Sequence, residues 1–205
     1  MKIVCVARNY VLHAQEMGAD PPPHPVFFLK PPTAWAASGE ISYPSFSERL
    51  EYEAELVFRI SRVGRPRSME EALAFCDAVT VGIDFTARDL QARLKAQGLP
   101  WEMAKAFDGS AWWGAWLPME PDWQSQPFRL YRGSQLLQEG RAQDMLFPLP
   151  RLLWEAARYF SWEPGDVLFT GTPPGVGPVA PGDSLQAYLG QVCVGEVWIV
   201  EARRF

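Results

Sequence analysis

A chain of 205 residues that is 48% hydrophobic and 21% charged has an ordinary globular composition and is long enough to bury one substantial core. Its net charge of −5 excludes a nucleic-acid surface built on clustered Lys and Arg, yet leaves anionic small molecules open, because a bound cation inverts the sign of an acidic site. Three widely spaced cysteines without CxxC spacing, a short apolar start broken by charge, and no run of ~20 apolar residues point to a reduced, cytoplasmic protein with neither signal peptide nor membrane span.

Residues 3–7 read as a short strand, and NYVLHAQEMG as a short helix that starts near Asn9, an N-cap residue type, and stops at Gly18. On it His13 and Glu16 stand three apart. That spacing lets the carboxylate orient the imidazole as a general base needs, and it also describes a plain surface pair. The prolines of DPPPHP make a loop, so this helix and loop could close as a lid over a substrate. VFFLK follows as a buried strand. RLEYEAELVFRI, residues 49–60, alternates with period 2 as a half-buried strand does, but its polar face carries Glu51, Glu53 and Glu55 in succession. Carboxylates two residues apart lie ~6.7 Å apart at Cα and can converge on one hard cation; a solvated face produces the same pattern.

Ser68 and Glu71 form a capping box for a helix over SMEEALAFCDAV. VTVGIDF is a strand leading into the helix TARDLQARLKAQG, closed by Gly98. Asp84, Arg88 and Gln91 fall at i, i+4 and i+7, one face of that helix if it starts early, and read either as a surface stripe or as an anion-handling set around a metal. Lys105 is a lone cation among apolar and aromatic residues, either a snorkelling side chain or a partner for a developing oxyanion. FRLYRGSQLLQEG suggests a hairpin around Gly133 and Ser134, LPRLLWEAARYF an amphipathic helix, and the C-terminal third short strands with Pro-Gly-Asp turns at Pro164 and Pro181. LFTGTPPGVG lacks the Gly-Lys-Ser/Thr ending of a phosphate loop, which rejects a nucleotide site and leaves Thr170 and Thr172 as hydroxyls for a small ligand. One β-rich α+β domain over 1–205 fits these elements.

In order along the chain, VCVARNYVLHAQE, FFLKPPTA, YEAEL, GIDFTARDLQ, GLPWEMAKAFDG and GDVLFTGTPPGVGPVAPGD resemble the fumarylacetoacetate hydrolase family. The likeness is greatest to its short single-domain acylpyruvate hydrolase and oxaloacetate decarboxylase branch. The resemblance implies a β-rich sandwich-roll with a few helices and an N-terminal lid helix (mobile segment about 8–25), a homodimer, and bound Mg²⁺ or alternatively Mn²⁺. It places the metal ligands on Glu53, Glu55 and Asp84, with Glu51 outside. His13 and Glu16 match the lid dyad that activates water; Lys105, Arg88 and Gln91 match the polar groups around the substrate, and Thr172 a substrate-contacting hydroxyl. Ala7 departs from the family's GRNY motif, where glycine usually stands.

The implied reaction is hydrolysis of a C–C bond in a small 1,3-dicarbonyl 2-oxo acid of acylpyruvate or fumarylpyruvate type, with His13, Glu16 and Lys105 as the catalytic groups. Oxaloacetate decarboxylation, or isomerisation of 2-hydroxyhepta-2,4-diene-1,7-dioate, could use the same site. A non-enzymatic alternative is a small-molecule binding module in which some of the nine tryptophans, Trp112, Trp113 and Trp116 among them, form a stacking platform. No nucleic-acid or membrane partner is expected.

Overall fold

The alternating segment forms strand structure in two pieces, Leu50–Tyr52 and Ala54–Ile60, with Glu53 in the break. In the computed structural model, which describes residues 1–16, 18 and 20–201, the second piece lies inside a seven-stranded sheet, between Val167–Phe169 and Cys76–Asp84. The order continues outward through Ile3–Ala7 to Val26–Lys30 on one side and to Ala111–Trp113 on the other. The first piece pairs with Thr86–Ala87 and Gly177–Pro178 in a small three-stranded sheet.

Both faces of the large sheet are covered. Leu56, Phe58 and Ile60, with Val79, Val81 and Ile83 of the neighbouring strand, enter the main core, which they share with Phe128, Leu130, Leu185 and Val197 of a five-stranded second sheet. Val57 packs on the opposite side with Ile3, Val167, Phe169 and Trp113. The expected half-buried strand is therefore buried from Leu50 to Ile60 except at Arg59, and Glu51, Glu53 and Glu55 are 2%, 6% and 1% exposed. Alternation reports which side chains share a face; a second layer decides whether that face is wet. The result is the β-rich α+β fold expected from the sequence, mostly curled sheets with a few short helices. Among the described residues no helix is long and apolar enough to cross a membrane.

Several local expectations hold. Residues 88–96 form a helix followed by Gly98 at φ +66°, the hairpin turns at Gly133 (φ +57°), and Leu149–Ala156 is helical. Both Pro-Gly-Asp segments close i→i+3 turns, Asp166 N–H to Glu163 O and Asp183 N–H to Ala180 O, each at 3.0 Å, with Gly165 and Gly182 at the positive φ that such turns require. Cys5, Cys76 and Cys193 are free thiols.

Others are corrected. Ser68 does cap its helix, its hydroxyl accepting from Glu71 N–H at 3.3 Å, but that helix covers only Met69–Ala72 before a 3₁₀ turn. Cys76 onward is strand, because Cys76 to Ile83 pair along Ile60 to Ala54 and sheet pairing overrides the helical reading. VFFLK is an edge strand, half-buried over 26–28, exposed at Leu29 and buried only at Lys30. Asn9 is no helix cap. It is fully buried, donating from Nδ2 to Phe147 O (3.1 Å) and Thr170 O (2.8 Å) and accepting from Phe147 N–H (2.8 Å). Asn9→Ala leaves three buried backbone groups without that partner, so a loss of about 3 kcal/mol, or roughly 6–12 °C in Tm, is expected in thermal unfolding.

The helix Val11–Glu16 carries His13 and Glu16; Met17 and Ala19 of the expected lid segment lie outside the described residues.

Candidate active site

Three carboxylates converge where the large and small sheets meet. Glu55 stands opposite Gly82, so Asp84, two residues further along the strand, shares its face. Glu53, in the break, is tied to Asp84 through its backbone, Asp84 N–H to Glu53 O at 2.9 Å. One ligand atom from each of Glu53, Glu55 and Asp84 lies within 4.8 Å of the other two, and all three side chains are buried. Glu51 is not in this group. Its Oε1 accepts from Arg49 Nε at 2.7 Å and its Oε2 from Arg88 Nε at 2.6 Å.

Buried cations hold the cluster together. Lys105 Nζ donates to Glu53 Oε2 and Asp84 Oδ2, both at 2.8 Å, so the snorkelling reading of Lys105 is wrong: its ammonium turns inward. Arg88 bridges Glu51 and Glu53 and donates from Nη1 to Gln91 Oε1 at 2.6 Å. Lys30 Nζ forms a buried ion pair with Asp84 Oδ1 at 2.8 Å, although the contact lies outside hydrogen-bonding geometry. Lys30 directs its hydrogen bonds to Ser110 and to the Lys105 carbonyl.

Glu55 receives one hydrogen bond, from Gly171 N–H at 2.6 Å. Gly171 sits at φ +94°, and a Cβ there would lie 2.8 Å from Asn9 Cβ, so this approach of backbone to carboxylate requires glycine.

These surroundings push the carboxyls apart. For Glu53, burial favours the neutral acid, but the Lys105 ammonium and Arg88 guanidinium outweigh it and hold the carboxyl well below the usual range. For Glu55, burial, then Asp84 and Glu53, raise it well above that range. Lys105 keeps its proton more firmly than usual: burial opposes its charge, but Asp84 and Glu53 prevail. A buried, oxygen-only donor set whose three ligand atoms lie within 4.8 Å of one another, with one carboxylate destabilised by its neighbours, fits a hard divalent cation held by Glu53, Glu55 and Asp84.

Glu53 and Asp84 of the cluster floor a cavity of about 380 Å³. Of the site residues expected from sequence, all but Glu16 and Glu55 line it. His13 is 5% exposed, and its Nδ1 lies 3.2 Å from Glu16 Oε2; Glu16 also accepts from Gly175 N–H at 3.1 Å. Thr172 forms part of the wall, but its hydroxyl donates to Ala54 O (2.8 Å) and accepts from Gln138 Nε2 (2.9 Å). Thr170 is turned away, bonded to Leu56 O. Asp84, Arg88 and Gln91 meet as expected, though not as one helical stripe. Asp84 ends a strand, and the helix starts only at Arg88.

Sequence reasoning missed several contributors. Gln138, 2% exposed, accepts from Ala54 N–H at 2.8 Å and so braces the break that aims Glu53. Lys30 had one signal, a cation ending an apolar strand; Gln138 had none. Of the three tryptophans named for a stacking platform, Trp112 and Trp113 are buried and Trp116 is half-buried and tilted against Trp113, so the three do not present one open face.

Comparison with known proteins agrees with this arrangement. A family model described as fumarylacetoacetate (FAA) hydrolase C-terminal matches residues 2–197. The chain is 38% identical over 188 residues to the mitochondrial oxaloacetate tautomerase FAHD1 of Bos taurus, spanning 90% of this chain and 85% of that protein. Its fold superposes on a fumarylacetoacetate hydrolase family protein from Yersinia pestis with a TM-score of 0.92 and 35% identity, covering 97% of this chain and 93% of the other. A fumarylpyruvate hydrolase from Pseudomonas aeruginosa, solved with Mn²⁺ and pyruvate, gives a TM-score of 0.87 and 33% identity, covering 100% and 90%. With its motifs gathered around one pocket and nearly its whole length matched, this chain is an enzyme of the fumarylacetoacetate hydrolase family.

Proposed function

We propose that the chain is a divalent-metal-dependent hydrolase that cleaves the C–C bond of a 1,3-dicarbonyl 2-oxo acid of acylpyruvate or fumarylpyruvate type. The observation that carries this reading is the buried Glu53–Glu55–Asp84 cluster at the floor of a pocket that also presents His13 and Lys105. The expected metal is Mg²⁺, with Mn²⁺ as the alternative, since both are held by carboxylate oxygens. A bound divalent cation supplies Lewis-acid polarisation of the substrate's oxygens.

The chain's own residues do the rest. With the Nδ1 proton given to Glu16, His13 presents Nε2 as the base, and the water it deprotonates adds to the distal carbonyl carbon. The C–C bond breaks, its electron pair goes to the pyruvate fragment, and the proton on His13 is available to that fragment. Lys105 stands where negative charge develops, and Arg88 with Gln91 orients the substrate. In this reading the helix Val11–Glu16 is the lid that brings the dyad over the site, 1–205 is one catalytic domain, and the family resemblance adds homodimerisation.

A second reading has a specific support. The bovine relative is named an oxaloacetate tautomerase, and shifting a proton between carbon and oxygen of oxaloacetate needs no activated water. Decarboxylation of oxaloacetate and isomerisation of an unsaturated 2-oxo acid make the same limited demand. A panel of acetylpyruvate, fumarylpyruvate, oxaloacetate and the hepta-dienedioate, assayed with Mg²⁺, with Mn²⁺ and with chelator, separates these. Fastest turnover of a 1,3-dicarbonyl 2-oxo acid, lost to chelator and restored by either cation, is expected. Turnover indifferent to exhaustive chelation removes the metal from the reading.

A further inference from the structure

Most cations of the pocket are committed. Arg88 is paired with Glu51 and Glu53, Lys105 with Glu53 and Asp84, and Lys30 lies against Asp84. Two others line the same cavity, Arg8 and Lys95, and among the described residues neither has a carboxylate within ion-pair distance. Both are exposed, whereas the carboxylate cluster is buried, so the two ends of the cavity differ: anionic ligands at the floor, uncommitted cations at the mouth.

The two side chains are also positioned. Arg88, Gln91 and Lys95 stand at i, i+3 and i+7 of one helix, a single stripe that lines the cavity. Lys95 Nζ lies 5.4 Å from the centre of the Trp101 ring, itself part of the wall and packed against Phe28 at 5.3 Å. Arg8 has φ +56°, the one positive value among described non-glycine residues. Its neighbour Asn9, locked by three buried hydrogen bonds, holds that conformation in place. Ala7, where the family motif has glycine, needs no such freedom, because the left-handed turn falls one residue later. Burial, with the like charges of Arg88 and Lys105, disfavours the charge on Lys95, a cost that an anion at the mouth removes.

We propose that Arg8 and Lys95 bind the distal carboxylate of the substrate, so that this enzyme acts on 2-oxo acids with a second anionic group rather than on those with a neutral acyl tail. This rests on the 2-oxo acid reading above and adds what sits at the far end of that acid. A carboxylate gaining one or two charge-assisted hydrogen bonds there is worth roughly 10- to 100-fold in affinity.

The test uses two inert keto acids of equal length, 2-oxoglutarate and 2-oxopentanoate, which differ only by a carboxylate in place of a methyl group. Their dissociation constants are measured by calorimetry on the Mn²⁺-loaded protein. The wild type is expected to prefer 2-oxoglutarate at least tenfold. The double variant R8Q/K95Q should bring the ratio near one, and Lys95→Arg should retain most of it. Equal affinities in the wild type, or an unchanged ratio in the double variant, overturn the pair while leaving 2-oxo acid binding intact. Failure of both keto acids to bind overturns the underlying reading, and the pair with it.

Discussion

Glu55→Gln is expected to weaken divalent-cation binding beyond the 10- to 100-fold typical of an outer-shell partner, with turnover lost in parallel, while leaving the metal-free fold at least as stable as the wild type. The amide keeps an oxygen for Gly171 N–H, so the 2.6 Å anchor to the backbone survives. What disappears is a negative charge that burial, Asp84 and Glu53 all disfavour. The pH dependence follows in sign. The folded state holds the Glu55 proton to higher pH than the unfolded chain, which releases it near the ordinary value of 4.5. The folded state thus binds more protons above that pH, and the stability of the metal-free wild type falls as pH rises toward the raised value. Glu55→Gln should not show that decline.

Adding Mg²⁺ or Mn²⁺ should rescue only the wild type, with protons released on binding and visible as buffer-dependent heats. Thermal unfolding across pH, with chelator and with cation, tests each part. Wild-type cation affinity in Glu55→Gln would remove Glu55 from the ligand set.

His13→Ala is expected to lower C–C hydrolysis by roughly 10²–10⁴ while sparing oxaloacetate decarboxylation, because only the first reaction needs an activated water. The effect should fall on kcat more than on KM, since the proposed reading assigns the 2-oxo acid end of the substrate to other groups. Glu16→Gln should act in the same direction and less severely: it weakens the partner of Nδ1 and the contact to Gly175 N–H but leaves the imidazole in place. Steady-state kinetics on both substrates decide the point. Equal loss of the two activities in His13→Ala would sink the water-activating role and favour His13 as the proton carrier of a tautomerase.

Much of this site was legible because its key spacings are local. Period-2 geometry puts Glu53 and Glu55 where two carboxylates can converge, three residues on a helix join His13 to Glu16, and the capping box announced the start at Met69. The order of motifs identified the family, and with it the distinction between Glu51 and its two neighbours. The same local logic misled where tertiary contacts compete. The helix over 69–79 ends early because strand pairing claims Cys76 onward, and Asn9 abandons its helix for Phe147 and Thr170.

Only the tertiary structure decided that the acidic face is dry, that Arg49 and Arg88 occupy Glu51, and that Lys30 and Lys105 press on Asp84. It alone brought Gln138 to Ala54 across 84 residues and Gly171 to Glu55 across 116. Neighbouring residues set a periodicity, and so which side chains share a face. Burial, pairing and the pKa of a carboxyl are set by partners distant in sequence, and those exist only once the sheets have closed over the site.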